Sequence, residues 1–323
     1  MGFMASLKQL RYFDAVARLG HFGKAAEHCA VTQPALSMQV QELEKELGVR
    51  LIERHPKGAV LTEAGREIAR RASRILTEVR DLKDCARQVG KPLAGPLNLG
   101  IIPTVAPYVL PPLLPSLREH YPDLELHVRE THTAHLKEAL LDGSLDLLLL
   151  ALPLDHADIE TRSLFEDRFL LALPASRRVK GGMRATPDLL ENDRLLLLEE
   201  GHCLRDQALA YCQLRRVDNI DTFGVSGLST IVQMVANGMG LTLLPEISVD
   251  VETMHGQVRL MRFEEPEPKR VIGLAWRATS PRRRDFLELG RLVQRAFPPE
   301  RRSPKPASPS HAVGSLAADG GLE

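Results

Sequence analysis

Two cysteines, Cys203 and Cys212 in the run GHCLRDQALAYC, carry the chemistry most readily seen in this chain. The run reads as a helix beginning near His202. At about 100° per residue the two thiols would face opposite sides, about 13.5 Å apart along the axis at about 1.5 Å per residue. A disulfide needs Cα atoms within roughly 7 Å of each other. An intact helix therefore forbids the bond. Pairing would force the segment to unwind, so that oxidation becomes a conformational event.

Cys203 is the thiol placed to react first. It falls in the first turn, where the helix dipole favours a thiolate, and His202 and Arg205 can add positive charge. Cys212, between Tyr211 and Gln213, suits the role of resolving a sulfenic acid. Spacing alone leaves a plainer reading open, because cysteines on helices often serve as small buried hydrophobes. Cys29 and Cys85 are expected to be of that kind. Four cysteines in 323 residues make no disulfide scaffold, and none sits as Cys-x-x-Cys. No metal and no cofactor is expected.

These thiols need a frame. From residue 95 onward strand-like and helix-like runs alternate: Leu97–Ile102, a helix from Pro107 to His120, Leu124–Glu130, a helix from Ala134 to Asp142, and Leu145–Leu150. Alternation of this kind predicts α/β units and a mainly parallel sheet. Further strands are expected at Phe169–Leu173, Leu195–Leu198, Leu241–Leu244 and Val271–Trp276, with a last helix over Arg282–Phe297. Two lobes joined by crossover segments would leave a cleft where such sheets bind ligands. Past residue 298 Pro, Ser, Ala and Gly dominate, and 299–323 is expected to be disordered.

The first sixty residues have a different pattern. Leu7, Leu10, Phe13 and Ala17 make one helical face, Ala25, Ala26 and Cys29 a second, and Leu36, Val40, Leu43 and Leu47 a third. Thr32 is placed as N-cap of the third helix, with Pro34 in its first turn. Its outward side carries Pro34, Ser37, Met38, Gln41 and Lys45, with Gln33 at the N-terminal edge, and small polar side chains such as Ser37 and Gln41 are of the kind a major groove accepts. Two apolar pairs around Pro56–Gly58 predict a hairpin wing, with Arg50, Arg54, His55 and Lys57 set for phosphates. From Thr62 to Gln88 there is no proline, and an apolar stripe runs through Ile68, Ala72, Ile75, Val79, Leu82 and Ala86. So long a helix is expected to pair with its copy in a second subunit.

Composition agrees with this division. The formal net charge is zero, yet residues 1–92 hold 16 Lys+Arg against 11 Asp+Glu. A basic head on an acidic body suits a nucleic-acid-binding unit, although a net of five charges is a modest excess. No stretch approaches 18 consecutive apolar residues, and a soluble cytoplasmic protein is expected.

The segments AA, TQPALS and LGVRLIER in the first 62 residues resemble the winged helix-turn-helix of LysR-type regulators. That resemblance implies DNA contacts from Gln33, Pro34, Ser37 and Gln41 on the recognition helix and Arg54 at the wing. Many members carry Arg after the Ser, where this chain has Met38. Beyond the head, GPLNLGIIPTVAPYVLP, EEGHCLRDQALAYC, the GMGLTLLP run and EPKRVIGLAWR resemble the hydrogen-peroxide-sensing OxyR branch. The fold implied is a periplasmic-binding-protein-like α/β regulatory domain of two Rossmann-like lobes over 95–298, after a winged helix-turn-helix over 5–62 and a linker helix over 63–92. The branch implies Cys203 as the peroxidatic and Cys212 as the resolving cysteine. Thr104 and Thr133 match positions that orient peroxide, and His202, Arg205, Asp206 and Arg270 match polar groups around the sulfur. Arg270 is expected as the thiolate's partner.

The partners implied are promoter DNA, hydrogen peroxide as signal, further copies of the chain as a dimer of dimers, RNA polymerase, and a thioredoxin- or glutaredoxin-type reductant. Two other readings compete. A LysR-type regulator can bind a small organic effector in its cleft, leaving the thiols without a role. A thiol peroxidase would use the same sulfur chemistry but has no need of the first 90 residues.

Overall fold

The computed structural model describes residues 5–55, 58–87, 92–179, 183–186, 189, 193–214, 220–222, 224–254 and 256–297. The tail expected over 299–323 lies outside them.

Three helices open the chain: α1 (Leu7–Leu19), α2 (Phe22–His28) and α3 (Gln33–Leu47). Ser6 and Gln9 start α1 as a capping box, each side chain accepting from the other's backbone amide. Thr32 has the backbone conformation of an N-cap for α3 but makes no side-chain cap bond, so Pro34 in the first turn is what pre-sets the helix. The expected inward residues Leu36, Val40 and Leu43 are buried with Tyr12, Phe13, Val16 and Ala25. The wing follows as an antiparallel hairpin, β1 (Ile52–His55) and β2 (Gly58–Leu61). Glu44 of α3 holds it in place, accepting the amides of Leu51 at 2.8 Å and Ile52 at 3.1 Å.

The long helix α4 (Glu63–Arg87) carries the chain from head to body. It docks on the body through Ser73, whose hydroxyl donates to the Asp142 carbonyl at 2.6 Å, and through an ion pair between Asp81 and Arg277 at 3.1 Å. Gly143 makes this approach possible: its φ is +78°, and a Cβ there would lie 1.9 Å from the Thr77 hydroxyl. Of the expected apolar stripe, Ala72 and Ile68 pack into the core of the head, while Ile75 is 46% and Leu82 71% exposed. Cys85, expected as a buried hydrophobe, is exposed one turn beyond Asp81.

The body comprises β3 (Gly95–Ile101), α5 (Ala106–His120), β4 (Leu124–Glu130), α6 (Thr133–Leu141), β5 (Leu147–Leu152) and β6 (Ile159–Pro174). It continues through β7 (Leu195–Leu197), α7 (Cys203–Leu214), β8 (Ile220–Thr222), α8 (Leu228–Ala236), β9 (Thr242–Pro245), α9 (Val249–Glu252), β10 (Val258–Arg262), β11 (Lys269–Arg277) and α10 (Arg283–Ala296). One sheet runs in the order β10-β6-β11-β5-β3-β4, with β9 joining β6, and β7 pairs with β8.

The sheet is mixed rather than mainly parallel. β3 is parallel to β4 and β5, whereas β11 is antiparallel to both β5 and β6, and β6 to β9 and β10. β6 is the strand that runs through both lobes, and β9, β10 and β11 each run against it. β6 also begins ten residues before the expected Phe169, because its polar first half pairs with β11 and lacks the apolar run of a buried strand. Leu164 and Phe165 of β6 lie in one core with Leu97, Leu149 and Ile272. Phe169, Leu171 and Leu173 lie in another, with Leu196, Ile231 and Leu244. Two lobes therefore share one continuous strand. Among the described residues no helix is long and apolar enough to cross a membrane.

Candidate functional site

Cys203 is the first residue of α7, and Cys212 lies in the same unbroken helix. Their Cα atoms are thus about 13 Å apart along the axis, as the sequence spacing required. Of Cys212 only the backbone is described. Cys203 sits at the junction of the lobes: its side chain packs against the first core, while that of Leu204 is buried in the second.

Three helix beginnings meet here. Thr104 precedes α5, Thr133 opens α6 and Cys203 opens α7. Arg270 ties the first to the crossover strands, donating to the Thr104 hydroxyl at 2.9 Å and its carbonyl at 3.0 Å. The same guanidinium forms a fully buried ion pair with Asp167 at 2.8 Å. Asp167 in turn accepts the Ile247 amide at 3.0 Å.

Burial is the strongest influence on the Cys203 thiol and pushes it up from its ordinary range. Arg270 opposes this, as do Thr133 and the Leu204 amide, while Asp206 adds to it. The Thr133 hydroxyl is close enough to favour the thiolate yet makes no bond of full geometry. Its buried oxygen has no partner besides the sulfur. The helix terminus thus does not lower the thiol on balance, contrary to the expectation from sequence. What keeps ionisation within reach is chiefly the fixed charge of Arg270.

The other expected residues are placed differently. His202 is buried but directs its Nε2 to that of His132, 3.2 Å away, and burial together with His132 disfavours its protonated form. It is therefore a poor source of positive charge for the thiol. Arg205 pairs with Glu200 at 3.6 Å, and Asp206 is exposed. The structure thus brings Cys203, Thr133, Thr104 and Arg270 together, while the partly buried Arg205 turns to Glu200 and the exposed Asp206 acts on the thiol only by its charge. Sequence reasoning missed Asp167, His132 and Glu199. Only the β6–β11 register, which sets Arg270 opposite Asp167, exposes the first of them.

At the other end of the molecule α3 presents the exposed side chains of Gln33, Pro34 and Gln41, with Ser37 half-buried between them and Met38 54% exposed. Arg54 lies within β1 opposite Ala59, with only its backbone described. Lys57 lies outside the described residues.

Comparison with known proteins bears on both regions. Residues 7–66 match the family of bacterial regulatory helix-turn-helix proteins of the lysR type, and residues 90–298 match the LysR substrate binding domain. A probable hydrogen peroxide-inducible genes activator of Streptomyces viridosporus is 44% identical, the match covering 90% of this chain and 94% of the relative. The DNA-binding transcriptional dual regulator OxyR of Escherichia coli K12 is 38% identical over 90% of this chain and 95% of its own length. The chain belongs to the OxyR family of LysR-type regulators. Full-length OxyR from Pseudomonas aeruginosa, solved with an aspartate in place of a cysteine, superimposes with a TM-score of 0.78 at 36% identity, covering 90% of this chain and 95% of that one. A peroxide-bound cysteine-to-serine OxyR from Corynebacterium glutamicum gives 0.63 at 34% identity, covering 91% and 93%. As an OxyR-family member the chain is a transcription regulator with a DNA-binding helix-turn-helix, not the thiol peroxidase considered from its cysteines.

Proposed function

We propose that this chain switches transcription in response to hydrogen peroxide through Cys203 and Cys212. The observation that carries the reading is the setting of Cys203: a helix-start thiol between two cores, facing the charge of Arg270 and the buried hydroxyl of Thr133. Thr133 and Thr104 orient the peroxide. The Cys203 thiolate attacks one peroxide oxygen, the O–O bond breaks, and the departing hydroxide takes up a proton as water. Sulfur is oxidised to the sulfenic acid and peroxide is reduced. The Cys212 thiolate then attacks that sulfur, and a second water leaves as the disulfide forms. Because α7 holds the two cysteines apart, the helix must unwind before the bond can close.

The exposed stripe of α4 at Ile75 and Leu82 supports pairing with a second chain, and further assembly as a dimer of dimers. Gln33, Pro34, Ser37 and Gln41 enter the major groove of promoter DNA, and Arg54 takes a backbone phosphate. Refolding at α7 shifts the heads along the operator, where RNA polymerase reads the change. A thioredoxin- or glutaredoxin-type dithiol in the cytoplasm resets the switch. The test is to treat the reduced chain with one equivalent of peroxide and map its disulfides by mass spectrometry. A Cys203–Cys212 bond is expected. Its absence, with Cys203 unmodified, overturns the proposal.

A further inference from the structure

Next to the reactive thiol lies a second cluster, two of whose members, His132 and Glu199, have no part in the proposed switch. His132, the residue before α6, comes from the first lobe. Glu199 and His202, on the loop before α7, come from the second. One ligand atom of each lies within 4.8 Å of the others, and none of the three is exposed. The two imidazoles meet edge to face with centroids 4.4 Å apart and their Nε2 atoms at 3.2 Å. Two such nitrogens can share a proton, or both can present lone pairs to a cation. On a tetrahedral ion with metal–nitrogen bonds of about 2.0–2.1 Å, two ligand nitrogens stand about 3.3–3.4 Å apart. The imidazoles are therefore already at the spacing of two ligands on one ion, and rotation of the Glu199 side chain supplies a third.

The loop is shaped to admit the ring. Gly201 has φ +95°, and a Cβ there would come within 2.9 Å of His132 Nδ1. A side chain at 201 would push the first lobe's ligand away from the second lobe's. Imidazole and carboxylate ligands, two to one, suit zinc and its borderline neighbours better than calcium or magnesium. Three protein ligands leave the fourth position open to water.

We infer that His132, Glu199 and His202 form a site for a divalent transition metal of the zinc class, bridging the lobes beside Cys203. A bound ion would tie the start of α6 to the loop leading into α7, and so brace the helix that must unwind. The ligand set stands whether or not Cys203 reacts with peroxide. Only the bracing of the switch rests on that reading.

The experiment uses the reduced full-length chain, titrated with Zn2+ by calorimetry and with Co2+ by absorption. One equivalent is expected to bind, with the intense visible bands of four-coordinate Co2+ and no sulfur-to-cobalt charge-transfer band. His132→Gln should weaken zinc binding by more than about 100-fold, beyond the loss that follows removal of an outer partner. Glu199→Gln should weaken it too, and Cys203→Ser should leave it unchanged. The site is refuted by the lack of stoichiometric binding, which leaves the imidazoles as a hydrogen-bonded pair. It is equally refuted if binding survives His132→Gln but vanishes in Cys203→Ser, which makes the thiol the ligand. Disulfide mapping after peroxide treatment is a separate readout, so failure of the metal site and failure of the redox switch are told apart.

Discussion

Arg270 and Asp167 stand opposite each other in the β6–β11 ladder and close an ion pair from which solvent is wholly excluded. Removing one partner strands the other as a buried charge, at a cost of about 3–5 kcal/mol. Arg270→Met is thus expected to lower stability by that amount in urea unfolding, and adding Asp167→Leu should restore most of it. Peroxide reactivity should stay low in the double variant, because no guanidinium then faces Cys203. Recovery of both together would show that Arg270 acts only as a structural group.

The pH dependence of Cys203 follows from its burial. A thiol pushed up from its ordinary value of 9.0 ionises later, so its alkylation rate should still be climbing where that of a short unstructured cysteine peptide has levelled off. Rates measured by mass spectrometry across the alkaline range test this. A Cys203 profile that levels off below that of the peptide would contradict it.

His202 gives the opposite kind of linkage. Its folded-state value lies below 6.5, so the unfolded chain binds the proton more readily. The stability it contributes is complete above that ordinary value and is lost as pH falls through the folded one. Unfolding free energies measured at about pH 5.5 and about pH 7.5 should therefore differ more for the natural chain than for His202→Gln. Equal slopes would assign the acid sensitivity to other groups.

On the recognition helix, Met38 is an exposed apolar side chain on a surface expected to meet DNA. Met38→Arg should tighten binding and steepen the salt dependence by about one unit of log–log slope, if the new charge reaches a phosphate. Gln33→Ala should instead cost about 1–3 kcal/mol of discrimination at a single base pair. Operator binding at several salt concentrations separates the two effects.

Cys203→Ser distinguishes the redox switch from a small-effector regulator. The variant should fold and bind DNA with unchanged affinity when reduced, yet show the same footprint before and after peroxide. A footprint that still shifts would make the thiol dispensable.

Where the residue pattern is periodic and local, the sequence could be read directly. The faces of α1 to α3, the wing, and the helix holding both cysteines all follow from spacings of two to nine residues. β6 was less legible, since its first half is polar on account of a partner strand about a hundred residues away. The electrostatics of the thiol depended on burial, which no local motif encodes. Sequence alone would give Cys203 a lowered value from its helix start and neighbours, whereas burial reverses the sign. His132 and Glu199 were invisible for the same reason: each is unremarkable within its own segment, and only lobe packing makes them neighbours.

Adjacent residues 203 and 204 belong to different hydrophobic cores. Unwinding α7 withdraws Leu204, fully burying which is worth about 1.5–3 kcal/mol, along with Ala208 from the second core, and frees Cys203 from the first. In the proposed switch the dose of oxidant needed would accordingly depend in part on how well two oily interiors are filled, at positions no oxidant touches. In that switch, changing the volume of a buried aliphatic side chain would shift the threshold while every reactive atom stays where it is.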